Sequence, residues 1–189
     1  MSISYQVESS TDTSSNPVIS SSLSYPKYEN EWNVLASPDG TLTDAKGRSY
    51  NYLFWEAKLD LEPDFSKGFC VAGEDTSTFL EDALYQLGLT DSEADAFIMY
   101  WLPQMINNDY NVISFQTDRY EDAARLNISP TPDSEIRVFM TFYSVPYEVD
   151  ISEQDLSSLN KTDREGFTLV EWGGAEIGSI NGEFRRIMD

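Results

Sequence analysis

The sequence predicts an α+β fold: a largely antiparallel β-sheet with a two-helix hairpin packed on one face. Three observations carry that expectation. Two long stretches, 48–59 and 135–147, alternate side chains in the two-residue period of a strand and are apolar enough on both faces to lie inside a sheet. Between them, two apolar stripes at helical spacing follow one another with only a short break. The remaining short alternating runs are joined by Pro, Gly, Asn and Asp clusters, as in strands linked by tight turns.

The helical pair is the most legible part. Phe69 to Ala72 is a short apolar strand, stopped by Gly73 before Glu74 and Asp75, whose charges suit the positive end of a helix. Phe79, Leu80, Ala83, Leu84 and Leu87 then form one face, and Gly88 supplies the left-handed residue that commonly ends a helix. Thr90 and Glu93 have capping-box spacing at the start of a second helix, whose face is Ala94, Phe97, Ile98, Trp101, Leu102 and Met105. Pro103 falls inside this stripe, so a kink or an end near Leu102 is expected, with residues 104–108 adding a last turn.

Elsewhere the chain reads as follows. Residues 1–24 are rich in Ser, Thr and Asn and read as a flexible linker, with an edge strand over 2–7 as the alternative. A single α+β domain is expected over 25–177 and a tail over 178–189. Trp32, Val34 and Ala36 alternate up to the turn Ser37-Pro38-Asp39-Gly40; Thr41 to Thr43 returns to a second turn at 44–47; residues 48–59 complete a three-stranded meander. Asp39 and Asp44 lack the ligand spacing of a calcium loop and read as turn residues. After the helices come a strand over 110–115, a short helix within 117–126, and a loop at Pro130 and Pro132. A central strand over 135–147 follows, then an edge strand over 145–151 and a final strand over 167–172 stopped by Gly173-Gly174.

Composition limits the chemistry. With 33 acidic and 12 basic residues, the formal charge of -21 repels nucleic-acid phosphates and anionic membranes, so neither is expected as a partner. The scattered acids read mainly as solvated surface. The chain contains no histidine, which removes Ser-His-Asp and Cys-His catalysis and the common zinc and facial-triad iron sites. No metal site or cofactor is expected. The single cysteine, Cys70, between Phe69 and Val71, reads as a core residue. No run of about 18 apolar residues is present to span a membrane, and the N-terminus lacks a secretory pattern, although a start trimmed of such a segment would look the same.

Two sets of residues remain as site candidates. Glu56 beside Trp55 and Glu171 beside Trp172 are the carboxylates that could serve a carbohydrate-cleaving hydrolase, where aromatic surroundings raise a carboxyl pKa. Pairing of each with an Arg or Lys, Arg137 among them, is the structural alternative. Tyr50, Tyr52, Phe54 and Tyr143 could form an aromatic surface for a sugar ring or a protein segment, or be core beneath the helices.

The motifs Tyr25-Pro26-x-Tyr28, Trp32-x-Val34, Pro38-Asp39-Gly40, 52–56 (YLFWE), Gly73-Glu74-Asp75, 100–103 (YWLP) and 170–174 (VEWGG) together resemble an uncharacterised family of bacterial proteins. The resemblance spans roughly 25–177. It implies an exported or envelope-attached protein and carries no assigned reaction, cofactor or catalytic residue. The expectation is therefore a non-catalytic binding or interaction domain, secreted or of the cell envelope, or cytoplasmic if Met1 is the native start. The alternatives are a carboxylate hydrolase and an acidic intracellular inhibitor or DNA mimic.

Overall fold

The computed structural model describes residues 1–9, 21–57, 61–159, 163–178 and 185–186. In chain order the elements are β1 (Ser2–Ser9), β2 (Ser21–Tyr25), β3 (Trp32–Ala36), β4 (Leu42–Asp44), β5 (Ser49–Tyr50), β6 (Phe54–Ala57), β7 (Phe69–Ala72), α1 (Thr76–Gln86), α2 (Asp91–Met105), β8 (Tyr110–Phe115), α3 (Thr117–Ala123), β9 (Ala124–Ser129), β10 (Ser134–Val145), β11 (Thr168–Gly178) and β12 (Arg185–Arg186). The fold is α+β and its sheets are mostly antiparallel. Contacts divide it into two compact units, Met1–Leu61 with Tyr120–Pro132, and Glu62–Arg119 with Asp133–Asp189.

The first unit holds a five-stranded sheet in the order β5-β4-β3-β1-β9 and a separate β2-β6 ribbon. In β3, Trp32 and Val34 point inward and Asn33 and Leu35 outward, the alternation expected of a half-buried strand. Ile3 and Tyr5 of β1 join them in the core, with the Tyr5 and Trp32 rings 5.8 Å apart. The meander turns match their sequence signals: Gly40 and Gly47 have φ of 86° and 78°, where a side chain would be strained. Asp39 Oδ1 accepts the Thr41 N–H at 2.9 Å.

The second unit holds the sheet β12-β11-β10-β8-β7 with β10 at its centre, antiparallel to β8 and parallel to β11. Ile136, Val138, Met140 and Phe142 on one face of β10 share a core with Leu80 and Leu84 of α1 and Phe97, Trp101 and Met105 of α2. Side chains of this size contribute about 1.5–3 kcal/mol each when fully buried. The other face of β10 is also covered, with Arg137, Phe139 and Thr141 buried. Helix α1 ends in the bonds its glycine permits: Gly88 (φ 92°) donates to Tyr85 O and Leu89 to Leu84 O, both at 3.0 Å. At the start of α2 the Thr90 N–H donates to Glu93 Oε2 at 2.8 Å, the return half of a capping box.

Several expectations change. The linker expected at 1–24 gives way at its start to β1, an interior strand between β3 and β9; its polar residues are tolerated because every second position faces outward. Residues 10–20 of that expected linker lie outside the described residues. Where one domain was expected over 25–177, the contacts form two units. The stretch 48–59 is not one central strand but β5, an edge strand, and β6 in a different sheet, because residues 51–53 break the ladder. Pro103 does not end α2, which runs on to Met105: the proline is exposed on the outer face, where the missing hydrogen bond costs least.

The short helix after 117 stops at Ala123, and the remaining residues form β9, paired with β1. Residues 146–152 are not a strand; Glu153 makes an isolated bridge to Gly68. Gly173 and Gly174 do not stop β11 but lie within it, opposite Phe139 and Met140 of β10. Cys70 is half-buried rather than fully core, and its Sγ accepts the Val149 N–H at 3.3 Å. The expected tail at 178–189 lies outside the described residues apart from Gly178 and the backbone of β12.

Candidate functional site

Two of the four aromatic candidates, Tyr50 and Phe54, are joined in the first unit by Tyr25, a residue the sequence reading left aside. Tyr25 ends β2 directly across from Phe54 of β6, and its ring meets that of Tyr50 edge-on at 5.8 Å. Tyr52 lies in the connection between β5 and β6. Tyr25 and Tyr52 are 65% and 60% exposed, so these rings present their surfaces to solvent rather than to a core. Tyr50 and Phe54 are half-buried.

The turn below the cluster fixes Tyr50. Its hydroxyl donates to Asp44 Oδ2 at 3.1 Å, while Asp44 Oδ1 accepts the N–H groups of Lys46 and Arg48 at 2.8 and 2.9 Å. Those bonds, the Arg48 N–H foremost, hold the Asp44 carboxyl below the usual carboxylate range. Burial and then the Asp44 bond push the Tyr50 phenol up, so it stays a neutral donor at physiological pH. Tyr25 could have been noticed from Tyr25-Pro26-x-Tyr28, where aromatic residues begin to concentrate.

Tyr143 belongs to the second unit and is not part of this cluster. It sits on β10, half-buried, with the Phe65 ring edge-on at 4.9 Å, and burial raises its pKa. The helices pack on Ile136, Val138, Met140 and Phe142, the face of β10 opposite Tyr143.

The two carboxylates fall in different units. Glu56 is half-buried in β6, paired in register with Leu23. Glu171 is buried on β11 opposite Arg137 of β10, and Arg137 Nε donates to its Oε2 at 2.6 Å. Their side chains are 3% and 9% exposed, and Glu135 Oε1 stands 3.9 Å from the same nitrogen. The geometry makes Glu171 the counter-ion of a buried guanidinium. Glu74 and Asp75 form a 3-10 turn that leads into α1, and no group of three or more acidic or cysteine side chains is arranged to hold a metal among the described residues.

A small polar cleft of about 190 Å³ opens in the second unit, lined by Asp64, Lys67, Gln116, Thr117, Arg119 and Gln154 among others. Most of its framework is paired internally, the exception being Thr117 Oγ1, which is buried without a hydrogen-bond partner. Gln116 accepts the Asp64 N–H and donates to Asp64 O, Gln154 bonds both backbone groups of Phe115, and Arg119 pairs with Asp64 at 3.3 Å. These contacts join distant loops and explain the cleft as a seam between them.

No helix among the described residues is long and apolar enough to cross a membrane. Compared with family models, with curated proteins and with solved structures, the chain matches none.

Proposed function

We propose that the chain is a non-catalytic binding domain of a bacterial exported or envelope protein, and that the tyrosine surface of the first unit takes a carbohydrate ring. The observation that carries this reading is the exposure of Tyr25, whose ring meets a Tyr50 fixed by Asp44, and of Tyr52 two residues along the chain from Tyr50. Exposed aromatic rings grouped on a small unit are costly to leave in water and mark contact surfaces. A ring held at a set angle offers a flat apolar platform at little entropic cost. The Arg137 pairing of Glu171 also favours binding over a two-carboxylate hydrolase, because a carboxylate committed to a buried guanidinium is a poor acid or nucleophile.

Retention on purified peptidoglycan sacculi and on chitin tests the reading, with soluble-sugar release followed in the same tubes. The expected result is retention on at least one polymer, reduced tenfold or more by Tyr25→Ala with Tyr52→Ala, and no sugar release. Absence of retention on both polymers, or sugar release abolished by Glu56→Gln, overturns it.

A further inference from the structure

We propose a second contact surface, in the second unit: the outward face of α2 docks a basic segment of another protein that carries apolar anchors. This surface shares no residue with the tyrosine cluster, and its test is separate.

Asp95, Met99 and Pro103 of α2 and Ile106, its C-cap, fall at i, i+4, i+8 and i+11 and so form one stripe. All four are exposed, Met99 at 69% and Ile106 at 41%. The opposite stripe of the same helix, Ala94, Phe97, Trp101 and Met105, is buried in the core. Helix α2 therefore carries exposed apolar side chains, set among acidic ones, on the side away from its core. Tyr85 on the outer side of α1 is also exposed.

The charge around this stripe selects the occupant. Between Gly68 and Asp118 there is no Lys or Arg at all, while Glu81 and Asp82 of α1 and Asp91 and Asp95 of α2 are exposed. A second copy of the chain would bring another -21 charge to the face, and anionic membranes and nucleic acids are repelled in the same way. A basic partner is attracted, and apolar anchors on it would cover Met99 and Ile106, which stand about 10 Å apart along a helix axis.

The chain already shows how this region holds a guanidinium. Arg164 donates from Nε and Nη2 to Gly88 O at the end of α1, at 3.2 and 3.0 Å, and from Nη1 to Glu93 Oε1 at 3.2 Å, with Nη2 also on Glu93 Oε2. A helix-end carbonyl and a first-turn carboxylate thus combine into a cation seat. Asp91 and Asp95, four residues apart, lie on the other side of α2 from Glu93, on the face that carries Met99.

The test is titration of the full chain with three synthetic peptides: a Lys-rich amphipathic helix with Leu at i, i+3, i+4 and i+7, the same composition scrambled to remove the apolar stripe, and a Glu-for-Lys version. Amide chemical shifts locate the contact. Binding of the first peptide is expected, tenfold or more tighter than the scrambled one, with shifts centred on residues 91–106 and none for the acidic version. Met99→Ser with Ile106→Ser, and separately Asp91→Asn with Asp95→Asn, should each weaken it at least fivefold without altering the fold, because all four side chains are exposed. Equal binding of the amphipathic and scrambled peptides, shifts elsewhere, or self-association abolished by Met99→Ser overturns the proposal.

Discussion

Replacing Glu171 by Gln tests whether this carboxylate is a structural counter-ion. The Arg137 guanidinium lies 2.6 Å from Glu171 Oε2, and the two side chains are 3% and 9% exposed. At an effective dielectric near 20, unit charges about 4 Å apart attract by roughly 4 kcal/mol. Removing one member of a buried pair costs about 3–5 kcal/mol, because the other charge stays behind without compensation. Glu135, 3.9 Å away and 47% exposed, retains part of the attraction, so the lower end, about 3 kcal/mol, is expected. With a urea m-value of about 2 kcal/mol/M, the midpoint should fall by roughly 1.5 M. Urea unfolding followed by fluorescence gives the midpoint, and hydrogen exchange of the amides at 134–145 shows that the loss lies in the second unit. The double replacement Arg137→Met with Glu171→Leu should recover to within about 1 kcal/mol of the parent, since an apolar pair leaves no stranded charge. A midpoint shift below about 0.3 M for Glu171→Gln, equivalent to roughly 0.6 kcal/mol at that m-value, refutes the counter-ion reading.

The adjacent glycines of β11 should respond differently to alanine. A Cβ on Gly174 would come within 2.5 Å of Met140 O and 2.9 Å of Trp101 Cζ2, whereas one on Gly173 meets only the Phe139 ring at 3.4 Å. Thermal unfolding should show Gly174→Ala destabilised by about 1–3 kcal/mol and Gly173→Ala within about 0.5 kcal/mol of the parent. Glu93→Gln should lose about 1 kcal/mol at pH 7, read by thermal melts. Burial alone would raise the Glu93 carboxyl, but the Arg164 and Thr90 bonds outweigh it and hold the pKa below the ordinary 4.5. The stabilisation is therefore full above the unfolded value and disappears as pH falls through the lower folded value, so parent and variant should converge in acid. Asn111 is fully buried, donating to Thr76 Oγ1 and Met105 O at 3.0 Å and accepting from Asn108 at 2.7 Å. Asn111→Ala should cost about 2–3 kcal/mol in urea unfolding by stranding those partners.

Local chemistry made some of this legible in advance. Gly88 and the Thr90/Glu93 pair bounded the two helices because caps and left-handed residues act through neighbours in sequence. The 37–40 and 44–47 turns were readable for the same reason. Residues 135–147 announced an interior strand because both faces are apolar, and β10 does sit at the centre of its sheet. The errors share a different cause. Tyr50 and Phe54 share an alternating pattern, yet pairing places them in different sheets, and alternation does not say with which strand a residue pairs. The glycine pair at 173–174 looked like a stop, but the closeness of Trp101 and Phe139 makes small residues suitable inside a strand.

The candidate surfaces divide in the same way. Tyr50, Tyr52 and Phe54 could be picked from aromatic density, but the association of Tyr50 and Phe54 with Tyr25 depends on β2 meeting β6. The pairing of Glu171 with Arg137 needed the parallel register of β10 and β11, and the two residues are far apart in sequence. By itself the sequence determined the α+β class, the helices and their caps, the turns, the acidity, and the absence of histidine chemistry, all properties of composition or of residues a few positions apart. Tertiary structure decided which strands pair, which carboxylate meets an arginine, and which apolar side chains of α2 stay in water. Those outcomes depend on long-range burial, where one face of an element is covered only when a distant segment arrives to cover it.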